Sequence, residues 1–282
     1  EMIPIENLIG PKGKNQKIMS DVELKSISYY ACEDSDIAFQ LFNLFEQKLV
    51  KEKLDKIYYE IEIPTMKVLI DMEFEGIQID KSLFYNLSNE ISSKIDIISK
   101  KIFSYTDVMF NINSPKQLSE VLFDHLNLKP IKKRSTSVDV LEELRKQHPI
   151  ADELLKFRHY SKLKNTYLDA IPEHVNPETQ KVHTSFNQTI ASTGRLSSTK
   201  PNLQNIPIRT EISREIRKGF VSKNTNSYIF SADYSQVELR IMAHFSKEKE
   251  LIYCFNNDID VHTRTASNIF NVDAKDVSFE QR

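Results

Sequence analysis

The sequence predicts an α+β chain that is mostly helical and has more than one domain. Its 282 residues exceed one small domain and fit two domains of about 100–200 residues each. Apolar residues recur at helical spacing over long stretches, most clearly in 82–105. Residues that favour β structure are confined to short segments, chiefly 182–190 and 228–232.

The elements follow in order along the first half of the chain. Residues 1–22 are typical of a loop, and a helix follows in which apolar residues recur at helical spacing over 37–49. Residues 75–80 alternate around a glycine, which predicts a turn and a short strand before the helix at 82–105. Ser114, followed by proline, has the residue types of a helix N-cap and first helical position.

The second half mixes helices with irregular chain. In order, we predict a basic loop at 132–137, helices at 138–147 and 150–170, β structure at 182–190, an irregular segment at 193–211, and helices at 236–245 and 261–270. Residues 228–232 predict a buried strand that ends at Asp233.

Composition excludes several classes of protein. The chain has 40% hydrophobic residues and no apolar run near the ~18 residues that a membrane span needs. Two cysteines are too few for a disulfide framework or a Cys-based zinc site, and they are typical of a reducing, intracellular compartment. Five glycines disfavour a Gly-rich phosphate loop.

Charge is distributed unevenly behind a net charge of −2. Residues 116–218 hold 18 basic and 12 acidic residues, whereas the remainder of the chain holds 20 and 28. The cation type also changes, because seven of the ten arginines lie after residue 194. Arginine is a planar fork that suits phosphates and base edges, so this change indicates a different kind of contact in the last third.

Two carboxylates near the predicted strand end are candidates for metal chemistry. Asp233 at a strand tip is a good Mg²⁺ ligand, and Glu238 one helical turn later can face the same pocket. The structural alternative remains open. Ser235 and Glu238 form a capping-box pattern, and Asp233 has the residue type of a turn.

The segment 192–207 is rich in groups that form hydrogen bonds. It contains Arg195, Asn202, Gln204 and Asn205 with five hydroxyl side chains, which suits contacts to nucleic-acid sugars, phosphates and base edges. A solvated loop is the alternative.

Two long motifs carry a resemblance to a known family. Residues 192–207 read STGRLSSTKPNLQNIP, and residues 233–240 read DYSQVELR. Together they strongly resemble the A family of DNA polymerases, to which bacterial DNA polymerase I belongs, and the second segment looks like that family's motif A. Shorter collinear matches are SPKQL at 114–118, KLKNTY at 162–167, VHTSF at 182–186, DVHT at 260–263 and YACED at 30–34.

The resemblance implies a right-hand polymerase architecture. Residues 1–52 would be the C-terminal part of a 3′–5′ exonuclease-like domain, and 53–181 the helical, DNA-gripping thumb with its connection to the palm. Residues 182–282 would be part of an antiparallel-sheet palm with motif A and the start of the fingers.

The resemblance also implies roles residue by residue. Asp233 would hold both catalytic Mg²⁺ ions, and Glu238 would crowd the sugar 2′ position. Near the incoming dNTP would lie Arg209, Gln236, His262 and Arg282. Template and primer would contact Arg195, Asn202, Gln204 and Asn205. Tyr30 and Asp34, four residues apart on one helix face, would belong to the exonuclease motif, although a common surface pair is the alternative.

A basic set in the thumb is expected to hold duplex phosphates without reading sequence. This set comprises Lys132, Lys133, Arg134, Lys162 and Lys164. A solvated helix face is the alternative.

The function expected is template-directed DNA synthesis on primer-template DNA from dNTPs, by a monomer in the bacterial cytoplasm, or in an organelle for a eukaryotic relative. Alternatives are a 3′–5′ exonuclease or a non-catalytic DNA-binding module. Ser278 and Gln281 form a capping-box pattern one residue before the sequence ends. We therefore expect the chain to be a fragment that does not polymerise alone.

Overall fold

The computed structural model describes residues 2–208, 210–224 and 226–282. It divides into two compact units, one ending at residue 225 and one comprising 226–282. Helices dominate both units, and short antiparallel strands occur in the first, so the predicted mostly helical α+β class is confirmed. None of the described helices combines the length and apolar character that a membrane span requires.

The first unit contains most of the secondary structure. Its helices are α1 (Glu6–Ile9), α2 (Leu24–Lys51), α3 (Asp55–Ile57), α4 (Ile63–Glu75), α5 (Lys81–Ser104), α6 (Pro115–Glu120), α7 (Val138–Leu144), α8 (Ile150–Leu163), α9 (Ala170–Glu173) and α10 (Glu211–Lys218). Its strands are β1 (Ile77–Ile79), β2 (Lys181–Val182), β3 (Ser185–Asn187), β4 (Ser197–Thr199) and β5 (Phe220–Val221).

The predicted helix starts are visible in the caps. The Asp80 side chain accepts a hydrogen bond from the Leu83 N–H at 3.0 Å, which fixes the start of α5. The Ser114 hydroxyl accepts from the Gln117 N–H at 3.4 Å, ahead of the proline that opens α6. The Ser114 cap therefore operates as predicted, whereas the Asp80 cap was not predicted.

Two sheets hold the strands. In the three-stranded sheet β1 is central, with Ile77 opposite Val182 on one side and Ile79 opposite Phe220 on the other. In the two-stranded sheet, β3 and β4 pair antiparallel. Strand β4 lies inside 193–211, so the prediction that this whole segment is irregular was wrong.

Gly76 joins α4 to β1 and has no room for a side chain. Its φ is +60°, a left-handed conformation that favours glycine. A Cβ placed there would lie 2.7 Å from the His183 ring. That ring is fixed, because its Nδ1 bonds the Glu73 carbonyl at 2.7 Å and its Nε2 bonds the Thr179 hydroxyl at 2.6 Å.

The hydrophobic core consists of two clusters that share α5. One cluster lies where α5 packs against α6, α7 and α8, and includes Ile102, Leu122, Leu141 and Leu154. The other joins β1, the first half of α5, β2 and α10. Burial of these apolar stripes is what stabilises the helices that their spacing predicts.

Glu153 is a charged residue at the edge of the first cluster, and its side chain is only 6% exposed. Its Oε1 accepts from the Lys101 ammonium at 2.7 Å and from the Lys156 ammonium at 3.0 Å. Burial acts to raise the pKa of Glu153, but the two lysine hydrogen bonds outweigh it, so the pKa lies below its ordinary value.

Helix α8 ends earlier than predicted. The helix expected over 150–170 is interrupted after Leu163 by a π-helical turn (Lys164–Leu168), and α9 follows. Similar π turns occupy Tyr58–Glu62 and Val121–His125. The apolar spacing alone does not distinguish a π turn from an α-helical one, because one extra residue per turn shifts the stripe only locally.

The second unit contains α11 (Val237–Ser246), α12 (Lys249–Asn256) and α13 (Val261–Phe270). Helices α11 and α13 match the prediction, whereas α12 was missed. The predicted buried strand at 228–232 was wrong, because these residues are irregular, with Tyr228 and Phe230 both 90% exposed. A strand needs a neighbour for its backbone groups, and the described part of this unit contains no strand.

Candidate active site

Asp233 lies in an exposed, irregular segment four residues ahead of α11. Glu238 is exposed on the first turn of that helix, where a negative charge is favoured by the helix dipole. His262 is the exposed second residue of α13. Thus the second unit presents these three predicted residues to solvent.

Gln236 forms the start of α11 in an unexpected way. It is the N-cap residue, has a left-handed backbone with φ +51°, and makes no side-chain capping bond. The capping-box prediction, with Ser235 as the N-cap, was therefore wrong, because the helix starts one residue later. The Gln236 amide instead donates to the Asp260 carboxylate at 3.3 Å.

Asp260 holds several groups of the second unit together. Its Oδ1 accepts from the Thr263 N–H at 2.7 Å and from the Thr263 hydroxyl at 2.8 Å, which caps α13. Arg282 donates to the same carboxylate through Nε at 3.0 Å and Nη2 at 2.8 Å. The guanidinium, together with the Thr263 donors, outweighs burial and holds the pKa of Asp260 well below its ordinary value.

A polar cavity of about 200 Å³ lies between the start of α11 and the chain before α13. Ser235, Gln236, Asp258 and Asp260 contribute to its lining. Arg240 also lines it, donating through Nε to the Ser235 carbonyl at 2.9 Å and stacking its guanidinium 4.5 Å from the centre of a phenylalanine ring. Fixed polar groups thus surround the segment that follows Asp233.

The residues present fit Mg²⁺ only as a site shared with substrate. Among the described residues there is no group of three or more acidic, histidine or cysteine side chains that could hold a metal ion. Mg²⁺ is, however, commonly bound by one or two carboxylates while waters and substrate phosphates complete the octahedron. The exposed carboxylate of Asp233 suits that arrangement.

In the first unit, buried hydroxyl groups anchor the segment 192–207. The Ser198 hydroxyl is fully buried and lies 2.6 Å from the Thr184 hydroxyl, which also donates to the Pro201 carbonyl at 2.8 Å. The Leu203 N–H donates to the same Ser198 oxygen at 3.1 Å. Some of the hydroxyls that indicated nucleic-acid contacts are therefore structural.

The other polar residues of this segment remain on its surface. Arg195, Asn202, Gln204 and Asn205 are exposed. The Asn202 side chain accepts from the Gln204 N–H at 3.1 Å, which closes a tight turn. The Tyr167 hydroxyl donates to the Asn205 carbonyl at 2.6 Å and ties the turn to the core. The turn thus presents side chains on a fixed backbone.

The five predicted phosphate-binding cations fall into two groups. Arg134 pairs with both oxygens of Asp124, at 2.8 and 2.5 Å, and Lys164 bonds the Ser88 hydroxyl at 2.6 Å and the Asp169 carboxylate at 3.0 Å. The remaining three are exposed, and no ion pair to another described residue holds them: Lys132, Lys133 and Lys162.

The basic loop 132–137 is fixed at both ends. Besides its ion pair, Arg134 lies 5.6 Å from the Phe123 ring centre, and its carbonyl accepts from Ser119 at 3.1 Å. Arg158 on α8 donates to the Thr136 carbonyl and, at 3.3 Å, to the Thr136 hydroxyl. The loop therefore presents its two exposed lysines from a defined backbone.

Three further predicted residues are Arg209, Tyr30 and Asp34. Arg209 lies outside the described residues. Tyr30 and Asp34 are one turn apart on α2, with Tyr30 half-buried and Asp34 exposed, as their spacing predicts. Their exonuclease role stays a prediction.

The mostly helical α+β fold and the DYSQVELR segment that begins at Asp233 agree with the result of a family comparison. The family model for DNA polymerase family A matches residues 81–282, which is more than half of the chain. The chain belongs to this family.

Two curated relatives support the same family membership. The chain is 46% identical over 262 residues to DNA polymerase I of Borreliella burgdorferi, covering 92% of the chain and 29% of that protein. It is 43% identical over 254 residues to the thermostable DNA polymerase I of Thermus thermophilus, covering 88% and 30%. The chain therefore spans about 30% of the length of these relatives.

A solved structure is also similar. It is the POL domain of Pol1 from M. smegmatis in complex with DNA primer-template and dNTP, with a TM-score of 0.81 and 38% identity. The match covers 89% of this chain and 44% of that one.

Proposed function

We propose that this chain is part of a template-directed DNA polymerase of the DNA polymerase I type, which adds dNTPs to a primer 3′-hydroxyl. Family membership over residues 81–282 carries this proposal. The exposed carboxylate of Asp233 ahead of α11 is the group on which the chemistry would depend.

In the proposed reaction the primer 3′-oxygen attacks the α-phosphate of a dNTP and pyrophosphate leaves. Asp233 would hold Mg²⁺, which when bound neutralises phosphate charge and lowers the pKa of the attacking hydroxyl. Arg282, His262 and Arg209 would lie near the triphosphate, together with Gln236. Glu238 would exclude a ribose 2′-hydroxyl by occupying its space.

The rest of the chain would hold the DNA. We propose that 1–52 belongs to an exonuclease-like domain, 53–181 to the thumb and its connection, and 182–282 to the palm and the start of the fingers. The similar structure, solved with primer-template and dNTP, supports these partners. We further propose a monomer that acts on cytoplasmic DNA.

The test is Asp233→Ala in the full-length protein that contains this chain. We expect template-directed extension to be abolished, while the Kd for primer-template DNA changes less than about twofold, because one exposed carboxylate adds little to DNA affinity. Asp273→Ala is the control, since Asp273 is an exposed acid of the same unit whose carboxylate pairs with Lys275 at 3.6 Å. Extension that persists in Asp233→Ala contradicts the metal-ligand role.

We also propose that the 282-residue chain does not polymerise alone, since two-metal catalysis needs more carboxylates than its described residues bring together. A primer-extension assay on the purified chain tests this. Measurable incorporation would refute it.

A further inference from the structure

Asp260 is the residue on which the polar contacts of the second unit converge. Its two carboxylate oxygens receive hydrogen bonds from Gln236, Thr263 and Arg282. These partners come from three separate places in the chain: the start of α11, the first turn of α13 and residue 282. A helix cap needs only the Thr263 contact, so the other two contacts require a further explanation.

The geometry of the arginine contact leaves part of the guanidinium available. A guanidinium has five N–H donors in a rigid plane. Asp260 takes the edge formed by Nε and Nη2, at 3.0 and 2.8 Å. The remaining donors, including both on Nη1, are directed away from that edge. The Arg282 side chain is 43% exposed, so these donors can reach an anion in solvent.

The same carboxylate is linked to the segment that carries Asp233. Gln236, three residues after Asp233, donates its amide to Asp260 Oδ2, the oxygen that also accepts from Arg282 Nη2. Arg282 is held in turn by its local backbone, because Ser278 and Gln281 form reciprocal capping bonds of 2.9 and 3.2 Å one turn earlier. Asp260 therefore fixes the guanidinium relative to the start of α11.

We propose that Asp260 is a positioning residue for nucleotide binding: it orients the Arg282 guanidinium so that the free edge meets the triphosphate of the incoming dNTP. It acts through Arg282 and does not itself touch the nucleotide. The inference rests on the proposed polymerase function, and it adds a residue to which the motif comparison assigned no role.

The variant Asp260→Asn in the full-length protein isolates this role. Asparagine is as good an N-cap as aspartate, so α13 keeps its cap, while the charged bidentate pair with Arg282 is lost. We expect KM for dNTP to rise about fivefold, because that is the size of effect expected from losing a half-exposed ion pair. The value of kcat should stay within about twofold of wild type. Asp260→Ser, which also caps a helix, serves if the Asn variant is unfolded.

The matched control is Asp80→Asn. Asp80 caps α5 through the Leu83 N–H and is not among the residues assigned to the nucleotide, so this variant makes the same chemical change at a helix start. Its KM for dNTP should equal the wild-type value.

A double-mutant cycle with Arg282→Ala separates positioning from a structural effect. If Asp260 acts through Arg282, Asp260→Asn has no further effect on KM once Arg282 is alanine. A KM that rises equally in both backgrounds overturns the proposal, as does an unchanged or lowered KM in the single variant. Failure of the proposed function gives a different result, because the wild-type protein would then show no primer extension at all.

Discussion

The three exposed lysines of the proposed thumb segment should carry most of its salt-dependent attraction to DNA. Lys132, Lys133 and Lys162 are exposed and without ion pairs to other described residues, whereas Arg134 and Lys164 are neutralised by Asp124 and Asp169. A cation that already has a carboxylate partner gains less from a phosphate, because it must first give up or share that partner. We therefore expect the two groups to respond differently to substitution.

The magnitude follows from counterion release. Each phosphate contact contributes about 0.9 to the slope of log K against log salt concentration for duplex DNA. The triple variant Lys132→Gln, Lys133→Gln, Lys162→Gln should lower that slope by about 2.7. Between 50 and 200 mM salt, the affinity advantage of wild type over the variant should then shrink about 40-fold. The double variant Arg134→Gln, Lys164→Gln should leave the slope within about 0.5 of wild type.

The assay is fluorescence anisotropy of a labelled primer-template titrated with the full-length protein at several salt concentrations. Lys146→Gln is a neutral control, because Lys146 is an exposed lysine just after α7 and is paired with Glu143 at 2.8 Å. An equal loss of slope in the double and triple variants would falsify the division into paired and unpaired cations.

Three predictions concern stability, each measured by urea titration of the 282-residue chain. Glu153→Gln should lower the free energy of unfolding by about 2 kcal/mol at pH 7. Because the folded pKa of Glu153 is depressed, this difference is complete above the unfolded value of about 4.3 and shrinks as the pH falls below it; an equal difference at pH 3 contradicts the ion-pair explanation. Gly76→Ala should lower the free energy of unfolding by about 3 kcal/mol, because of left-handed strain and overlap with the His183 ring. Gly10→Ala should lower it by only about 1 kcal/mol, since φ is also positive there but no atom lies within 4 Å of an added Cβ. Equal losses of stability in the two variants would contradict the overlap at Gly76. Tyr167→Phe should cost about 1 kcal/mol by removing the hydroxyl that bonds the Asn205 carbonyl, and an unchanged midpoint counts against it.

The helices were predictable because their signals are local. The spacing of apolar residues in α5 and the cap at Ser114 act within a few residues of each other. Strands depend on partners elsewhere in the chain, and this is where the predictions were wrong. Residues 228–232 have strand-forming side chains without a neighbour in the described part of their unit, while β4 is made of hydroxyl residues but pairs with β3.

The candidate site was predictable to a similar extent. The motif at 233–240 predicts a role for Asp233 because it is a contiguous run of residue types, and the family resemblance implies one for Arg282. Asp260 was not identified as a site residue, since its link to Arg282 spans 22 residues and appears only when the two side chains are placed together. The one available signal was Asp260 followed three residues later by Thr263, which predicts a cap and nothing more.

Ion pairs determine where the positive surplus of residues 116–218 can act. Ion pairs inside 116–218, such as Arg134 with Asp124 and Lys164 with Asp169, remove one cation and one anion each. They therefore leave the positive surplus of that segment unchanged but restrict where it can act. The surplus must reside on cations without such partners, among them Lys132 and Lys133 on a loop whose backbone is fixed by Arg158. We therefore expect the attraction of a phosphate backbone to depend on these unpaired lysines more than on the paired cations of the segment.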